Sequence, residues 1–421
     1  MYPLKSQSKG LQELPIELLT EILKYTEWCD VLHLRQTCKW VYAVSHEHAI
    51  WLALLRHGNN KAEVQPYHSD RPLHLYNAEE LESLVLRQHK VFDGWRKPNT
   101  FPLLRRTILA PNRSLWCAYP VKGGRWFLVG NRQGDILYFD LDATKATARV
   151  LIPFQYSSSA RIHLLIAVDM DNDEPFLTFN LAVTALYYAS DPEESHKLIQ
   201  IWRITHKVDD RGRIVDLIAH HSRSFLEEKG IDIASKTYRW YTCIVNWQMT
   251  NQTSLSYKRT IIDDQSFDRV AFLPNNWFLC NSFAYLELPE ITLPVSQCIL
   301  PKTLPRRFFG ISSIYFSEAF TVRNSERFVF STTRGVKSII FPHNNPVDAE
   351  LVTLYQDRSF FDDGQASFNY AAFISGLELS IRYYTWPDIE RYSGDIHLDE
   401  ESGRIVTSGQ DEEYNIMKLD I

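Results

Sequence analysis

The stretch from Gly124 to Asp142, "GRWFLVGNRQGDILYFDLD", sets two apolar runs on either side of the polar, glycine-containing segment "NRQGD". A tight turn between runs rich in aromatic and branched side chains is what a β-hairpin needs. The pattern recurs. "KLIQIWRITHKVDDRGRIVDLIAHH" breaks at "DDRG", "RFVFSTTRGVKSIIFP" at "TTRG" and "GRIVTSGQDEEYNIMKLDI" at "GQDE". Runs such as "RIHLLIAVDMD", "YTCIVNWQM", "RVAFLPNNWFLCNSFAYLEL" and "FFGISSIYF" fill the intervals, without a long helical period.

Residues 100–421 therefore read as a nearly all-β module. The chain's 23 Phe, 21 Tyr and 11 Trp suit pleated, half-buried surfaces. A blade of four strands takes about 40 to 50 residues, so roughly 310 residues of successive hairpins predict a β-propeller of six or seven blades. A pair of packed sandwiches is the alternative. The hairpin "LVGNRQGDILYFDLD" resembles the outer half of a WD-type blade, with "DLD" where the repeat name places Trp-Asp; the repeats are degenerate, since no Gly-His…Trp-Asp pair recurs. Pairing of "NIMKLDI" with an early strand is expected, because closure removes a sheet edge prone to unwanted pairing.

The first hundred residues follow another period. Pro15, then Glu17 in the first turn, predict a helix start. Leu18, Leu19, Ile22 and Leu23 form its apolar stripe. Asp30 is the expected N-cap of a second helix running through Val31, Leu34, Cys38 and Val41, with Arg35, Gln36 and Lys39 outside. A third helix, "HAIWLALLR", is expected to end near Gly58. A bundle of roughly 45 residues is marginal alone. The leucines must cover either the next module or a partner.

Residues 58 to 78 mix Gly, Pro, Asn and charges without period, as a surface segment does. Asn77 then caps a helix predicted over about 78 to 93. The organisation is thus multidomain: a small all-α unit at 11–57, a connector with a helix at 58–99, and the β module at 100–421.

The run Leu14-Pro15-x-Glu17-Leu18-Leu19-x-x-Ile22-Leu23, then Asp30-Val31-Leu32-x-Leu34-Arg35-x-x-Cys38-Lys39, then Ile50-Trp51, resembles the F-box motif across its length. "DGWRKP" at 93–98 resembles the "nWr" element that follows a linker helix in F-box proteins of fungal type. The resemblance implies docking on the small adaptor subunit of an SCF ubiquitin ligase, and through it on cullin and RING subunits. Leu14 and Pro15 would enter the adaptor groove. Leu18, Leu19, Ile22 and Leu23 would line the first helix contact, and Leu32, Leu34, Cys38 and Trp51 would complete the hairpin, some as internal core. The departure from the family is "YTEWCD", where a shorter polar turn is usual. The β module would then hold a protein substrate; a scaffold outside ligase turnover and a propeller enzyme are the alternatives.

Charge and motifs narrow these classes. Up to residue 110 there are 14 Lys/Arg and 12 Asp/Glu, which leaves 31 and 39 of the chain's 45 and 51 beyond it, hence +2 and −8. No basic block could neutralise a run of phosphates, so nucleic acid is not an expected partner. No membrane contact is expected, and the opening "MYPLKSQSKG" lacks a secretory signal's apolar core, which predicts a cytoplasmic or nuclear protein. Six scattered cysteines form no CxxC pair, and the histidines complete no zinc set, so neither metal nor cofactor is expected. Nucleophile-elbow and phosphate-loop motifs are missing, so no catalytic residue is assigned. Arg132, Arg306, Arg307 and Arg334, read as turn or loop residues, are the candidates to clamp an acidic or phosphorylated peptide.

Overall fold

The computed structural model describes residues 13–61, 68–96, 104–109, 115–154, 161–171, 173–188, 196–228, 242–245, 259–263, 269–273, 277–281, 285–288, 306–309, 313–316, 320–322, 325–332, 335–344, 348–356, 369–375, 378–384, 396–399, 402–408 and 413–418.

Five helices open the chain: α1 (Ile16–Lys24), α2 (Trp28–Arg35), α3 (Lys39–Val44), α4 (His48–Lys61) and α5 (Ala78–Arg96). Pro15 caps α1, its carbonyl accepting from the Leu19 amide at 3.1 Å. The expected second helix is two. The Thr37 hydroxyl donates to the Leu34 carbonyl at 2.7 Å, and Cys38 is extended, its sulfur accepting from the Val41 amide as the cap of α3. "YTEWCD" is shorter as a loop than it reads, because Trp28 and Cys29 already belong to α2. Gly58 does not stop α4, which runs on to Lys61. At Asn77 a reciprocal capping box forms: the Asn77 amide donates to Glu80 at 2.8 Å and the Glu80 amide to the Asn77 side chain at 2.9 Å.

The helices share one core, with Leu19, Leu23, Val31, Ile50 and Trp51 buried together with Leu81 and Val85 of α5. The connector helix is thus part of the helical unit. Arg35, expected outside, is the hub. Its guanidinium forks onto Glu82 of α5 at 2.8 and 2.9 Å, donates to the Ser45 hydroxyl at 2.9 Å and lies 5.4 Å from the Trp51 ring. Both partners of that pair are largely desolvated, at 14% and 16% exposed.

Beyond the helices the described strands form seven antiparallel sheets. The first pairs Leu115–Pro120, Trp126–Asn131, Ile136–Asp140 and Arg149–Ile152 in chain order, and the second Arg161–Met170, Phe179–Tyr188, His196–Val208 and Ile214–Glu228. Pairs at Thr242–Val245/Arg259–Asp263 and Asn369–Ser375/Glu378–Tyr384 are two-stranded as described, whereas sheets at 269–309 and 313–356 have four and five strands. The last sheet joins Leu104–Leu109 to Glu413–Lys418, followed by Arg404–Ser408 and Ile396–Asp399. The expected closing strand is therefore present, with Ile108 opposite Tyr414.

Strand Trp126–Asn131 is buried throughout. By the two-residue period of a strand, Trp126 and Leu128 enter the core shared with the second sheet, while Phe127 and Val129 enter the core shared with Ile108 and Val406 of the closing sheet. Gly130 has no Cβ because Cys117 Sγ would stand 2.7 Å from it. A sheet covered on both faces by its neighbours in sequence, with a closing sheet built from distant strands, has the arrangement of a β-propeller; a two-sheet sandwich offers each sheet one covered face only.

Candidate partner-binding surface

In α1, Leu19 and Leu23 are buried at 1% and 0% exposed, while Leu18 and Ile22 stand out at 54% and 45%. The two pairs are each one turn apart, so the helix carries two apolar stripes side by side. The inner stripe meets α4 and α3. The outer one continues the exposed Pro15 and extends one turn on to Tyr25, whose ring meets the His57 ring edge-on at 5.7 Å. Exposed apolar side chains at successive turns of one helix are the unusual feature, since a single exposed leucine needs no explanation.

The ten residues assigned to adaptor contact thus divide. Pro15, Leu18 and Ile22 are exposed, Leu14 is half-buried, and Leu32, Leu34 and Cys38 pack at the margin of the helical core. Leu19, Leu23 and Trp51 lie inside it, and the Trp51 indole donates to the Ser45 carbonyl at 2.8 Å. Those three support the surface and are not part of it. Two exposed aromatics on α3, Trp40 and Tyr42, were not singled out by sequence; Tyr42 stacks at a tilt on His46, 4.6 Å away. Their signal was the pair of large rings in a six-residue helix with only Val41 and Val44 buried. Trp28 leaves this surface altogether, stacking on His89 of α5 at 5.1 Å.

The four candidate arginines fall on separate segments of the chain. Arg132 is exposed in the turn of the first sheet's central hairpin, where the Asn131 side chain receives the Gln133 and Asp135 amides at 3.0 and 2.9 Å. Arg306 and Arg307 are strand residues instead of loop residues, opposite Leu288 and Glu287 at the edge of their sheet. Arg334 lies outside the described residues. Among the described residues no group of three or more His, Cys, Asp or Glu is placed to hold a metal, and no helix is long and apolar enough to cross a membrane. His220 and His221 face separate partners, Thr205 and Ser224.

No family model matches this chain, and no curated protein matches it by sequence. Solved structures that match include a WD40 domain and a β-propeller domain. The WD40 domain of SCAP from fission yeast is 10% identical over 74% of this chain and 76% of its own, with a TM-score of 0.28. The Cps50 (Swd1) β-propeller domain of Myceliophteria thermophila is 10% identical over 75% and 98%, at 0.32. At such scores the strand pairing above, and not the likeness, carries the fold.

Proposed function

We propose that this chain is the substrate-recognition subunit of an SCF-type ubiquitin ligase, present in the cytoplasm or nucleus, and that it catalyses no reaction itself. The outer stripe of α1 would dock on the adaptor subunit, and through it on cullin and RING subunits. A β module of six or seven blades would capture the protein to be ubiquitinated. The observation that carries this reading is the split within α1, where Leu18 and Ile22 are kept in solvent beside a buried Leu19 and Leu23, in a segment whose order of residues resembles the F-box. Burying a leucine stabilises by about 1.5 to 3 kcal/mol, so leaving two exposed on one stripe forgoes stability that a partner can recover. The contribution to ubiquitin transfer would be proximity alone: holding substrate and conjugating enzyme in one assembly raises their effective concentration.

Co-purification of the full chain with the SCF adaptor tests the first half. Wild type should bind at one-to-one stoichiometry, and a folded Leu18→Ala/Ile22→Ala variant should not. A folded wild-type chain that fails to bind refutes the reading. Adaptor binding without ubiquitination of any captured protein would instead mark a scaffold outside ligase turnover.

A further inference from the structure

Residues 68–76 connect α4 to α5 and include only one short 3-10 turn, Leu73–Leu75. This strap is fixed to both of the first two sheets. Its Asp70 carboxylate receives Arg125 Nη1 at 3.0 Å. The same guanidinium forks onto Asp140 of the first sheet at 3.2 and 2.9 Å and donates to the Ile214 carbonyl of the second at 2.9 Å. The Asp70 carbonyl accepts from the Leu177 amide at 2.9 Å. Arg71 pairs with Glu80 at 2.7 Å, reaches the Gly212 carbonyl at 3.3 Å and covers the Tyr76 ring at 4.3 Å. On α5, Arg87 donates to the Gly123 carbonyl at 3.2 Å.

The β hairpins are shaped to receive the strap. Gly123 adopts φ +86°, and a Cβ there would come within 2.7 Å of the His68 carbonyl oxygen. Gly212 adopts φ +71° against Leu75. Two turns thus use the left-handed backbone where the strap passes, a conformation that glycine takes at little cost. Burial pushes the Asp70 carboxyl up, against the pull of Arg125, so the partially dehydrated carboxylate depends on that guanidinium.

We infer that residues 68–76 are a latch that holds the helical unit against the β module in one orientation, with Arg125 as its positioning residue, and that loss of the Asp70–Arg125 contact frees the two parts to move separately. Three separate contacts with different chain segments meet on Asp70 and Arg125, which makes this pair the densest joint between latch, first sheet and second sheet, beside the single contacts of Arg71 and Arg87. The inference holds whether or not the outer stripe of α1 binds an adaptor.

Hydrogen exchange and small-angle scattering on the full chain test it, using Asp70→Asn and Arg125→Gln. Both variants should speed exchange of the Leu177, Leu75 and Tyr76 amides by about tenfold or more and lengthen the largest dimension of the particle. Protection at Leu128 and Leu23 should stay as in wild type. Unchanged exchange at Leu177 and an unchanged scattering curve in Asp70→Asn would overturn the latch. So would an equal loss of protection at Leu128, which would make the cluster part of the β core. Asp70→Asn lies on the strap and keeps its shape, so it gives an answer even if Arg125→Gln does not fold.

Discussion

Leu18 and Leu23 sit five residues apart in one nine-residue helix, yet the structure assigns them opposite roles, and the same substitution separates them. Leu23 is 0% exposed and surrounded by the helical core. Leu23→Ala leaves a cavity there and should cost about 3 to 5 kcal/mol. With a urea slope of about 1 to 3 kcal/mol per M, the midpoint of the helical transition should fall by roughly 1 M or more. Leu18 is 54% exposed, so about half of the ~1.5 to 3 kcal/mol available from burying a leucine is still unused. Leu18→Ala should therefore change stability by about 0.5 kcal/mol or less and leave the urea midpoint almost where it is. It should weaken adaptor binding by about 1 kcal/mol, or roughly fivefold in Kd. Urea unfolding followed at 222 nm, beside calorimetric titration with the adaptor, reads both quantities. Equal destabilisation by the two substitutions would show that the stripes are not distinct. A Leu18→Ala chain that binds as wild type would remove Leu18 from the docking surface.

Two further outcomes follow from a largely desolvated ion pair and a half-buried thiol. Arg35→Met or Glu82→Gln alone should cost about 3 kcal/mol of helical stability, since each leaves the other charge desolvated; the double variant should recover part of this, giving a coupling of about 1 to 3 kcal/mol in a double-mutant cycle, and additive losses would deny the pair its role. Burial pushes the Cys117 thiol from 9.0 up to about 12. At pH 8.5 its thiolate should be about a thousandfold scarcer in the folded chain than in the unfolded one, and alkylation should slow accordingly, as read on its own peptide by mass spectrometry. Because the folded value lies above the unfolded one, the folded state holds that proton more tightly and stability falls as pH rises past about 9. Labelling of Cys117 within tenfold of the unfolded rate would contradict its burial.

What sequence revealed were features encoded within a few residues. Turn residues announced the hairpins at 124–142, 196–228 and 325–342, and Asn77 with Glu80 announced the start of α5. The closing pair was legible because an open edge strand demands an explanation. Features requiring a distant partner were not. Arg35 reads as a surface residue until Glu82, in another helix, is brought beside it. The break at Thr37 and Cys38 was hidden by an apolar period that continues through it, although a threonine able to bond back to Leu34 is a local signal. The segment 58–78 shows no period, yet α4 continues through Lys61 and a 3-10 turn lies at Leu73–Leu75, so a missing period does not mark where regular structure stops. It says nothing of Asp70, whose ion pair is fixed by tertiary geometry. The apolar stripe of α1 was legible, but its division into exposed and buried halves depends on where α3 and α4 lie.

Closure by strands from opposite parts of the chain also sets an order of events during synthesis. Among the described residues, Leu104–Leu109 pairs with Glu413–Lys418, so about 300 residues must be translated before that pair can form. At about 5 to 20 residues per second this takes roughly 15 to 60 s. Helices α1 to α5 have left the ribosome well before then and can already display Leu18 and Ile22. A nascent chain therefore passes through a stage in which its helical surface is ready while an unpaired strand is exposed to other chains. Any copy interrupted in that interval would keep the first property and never lose the second, which makes the final strands the point at which a competent molecule is distinguished from an aggregation-prone one.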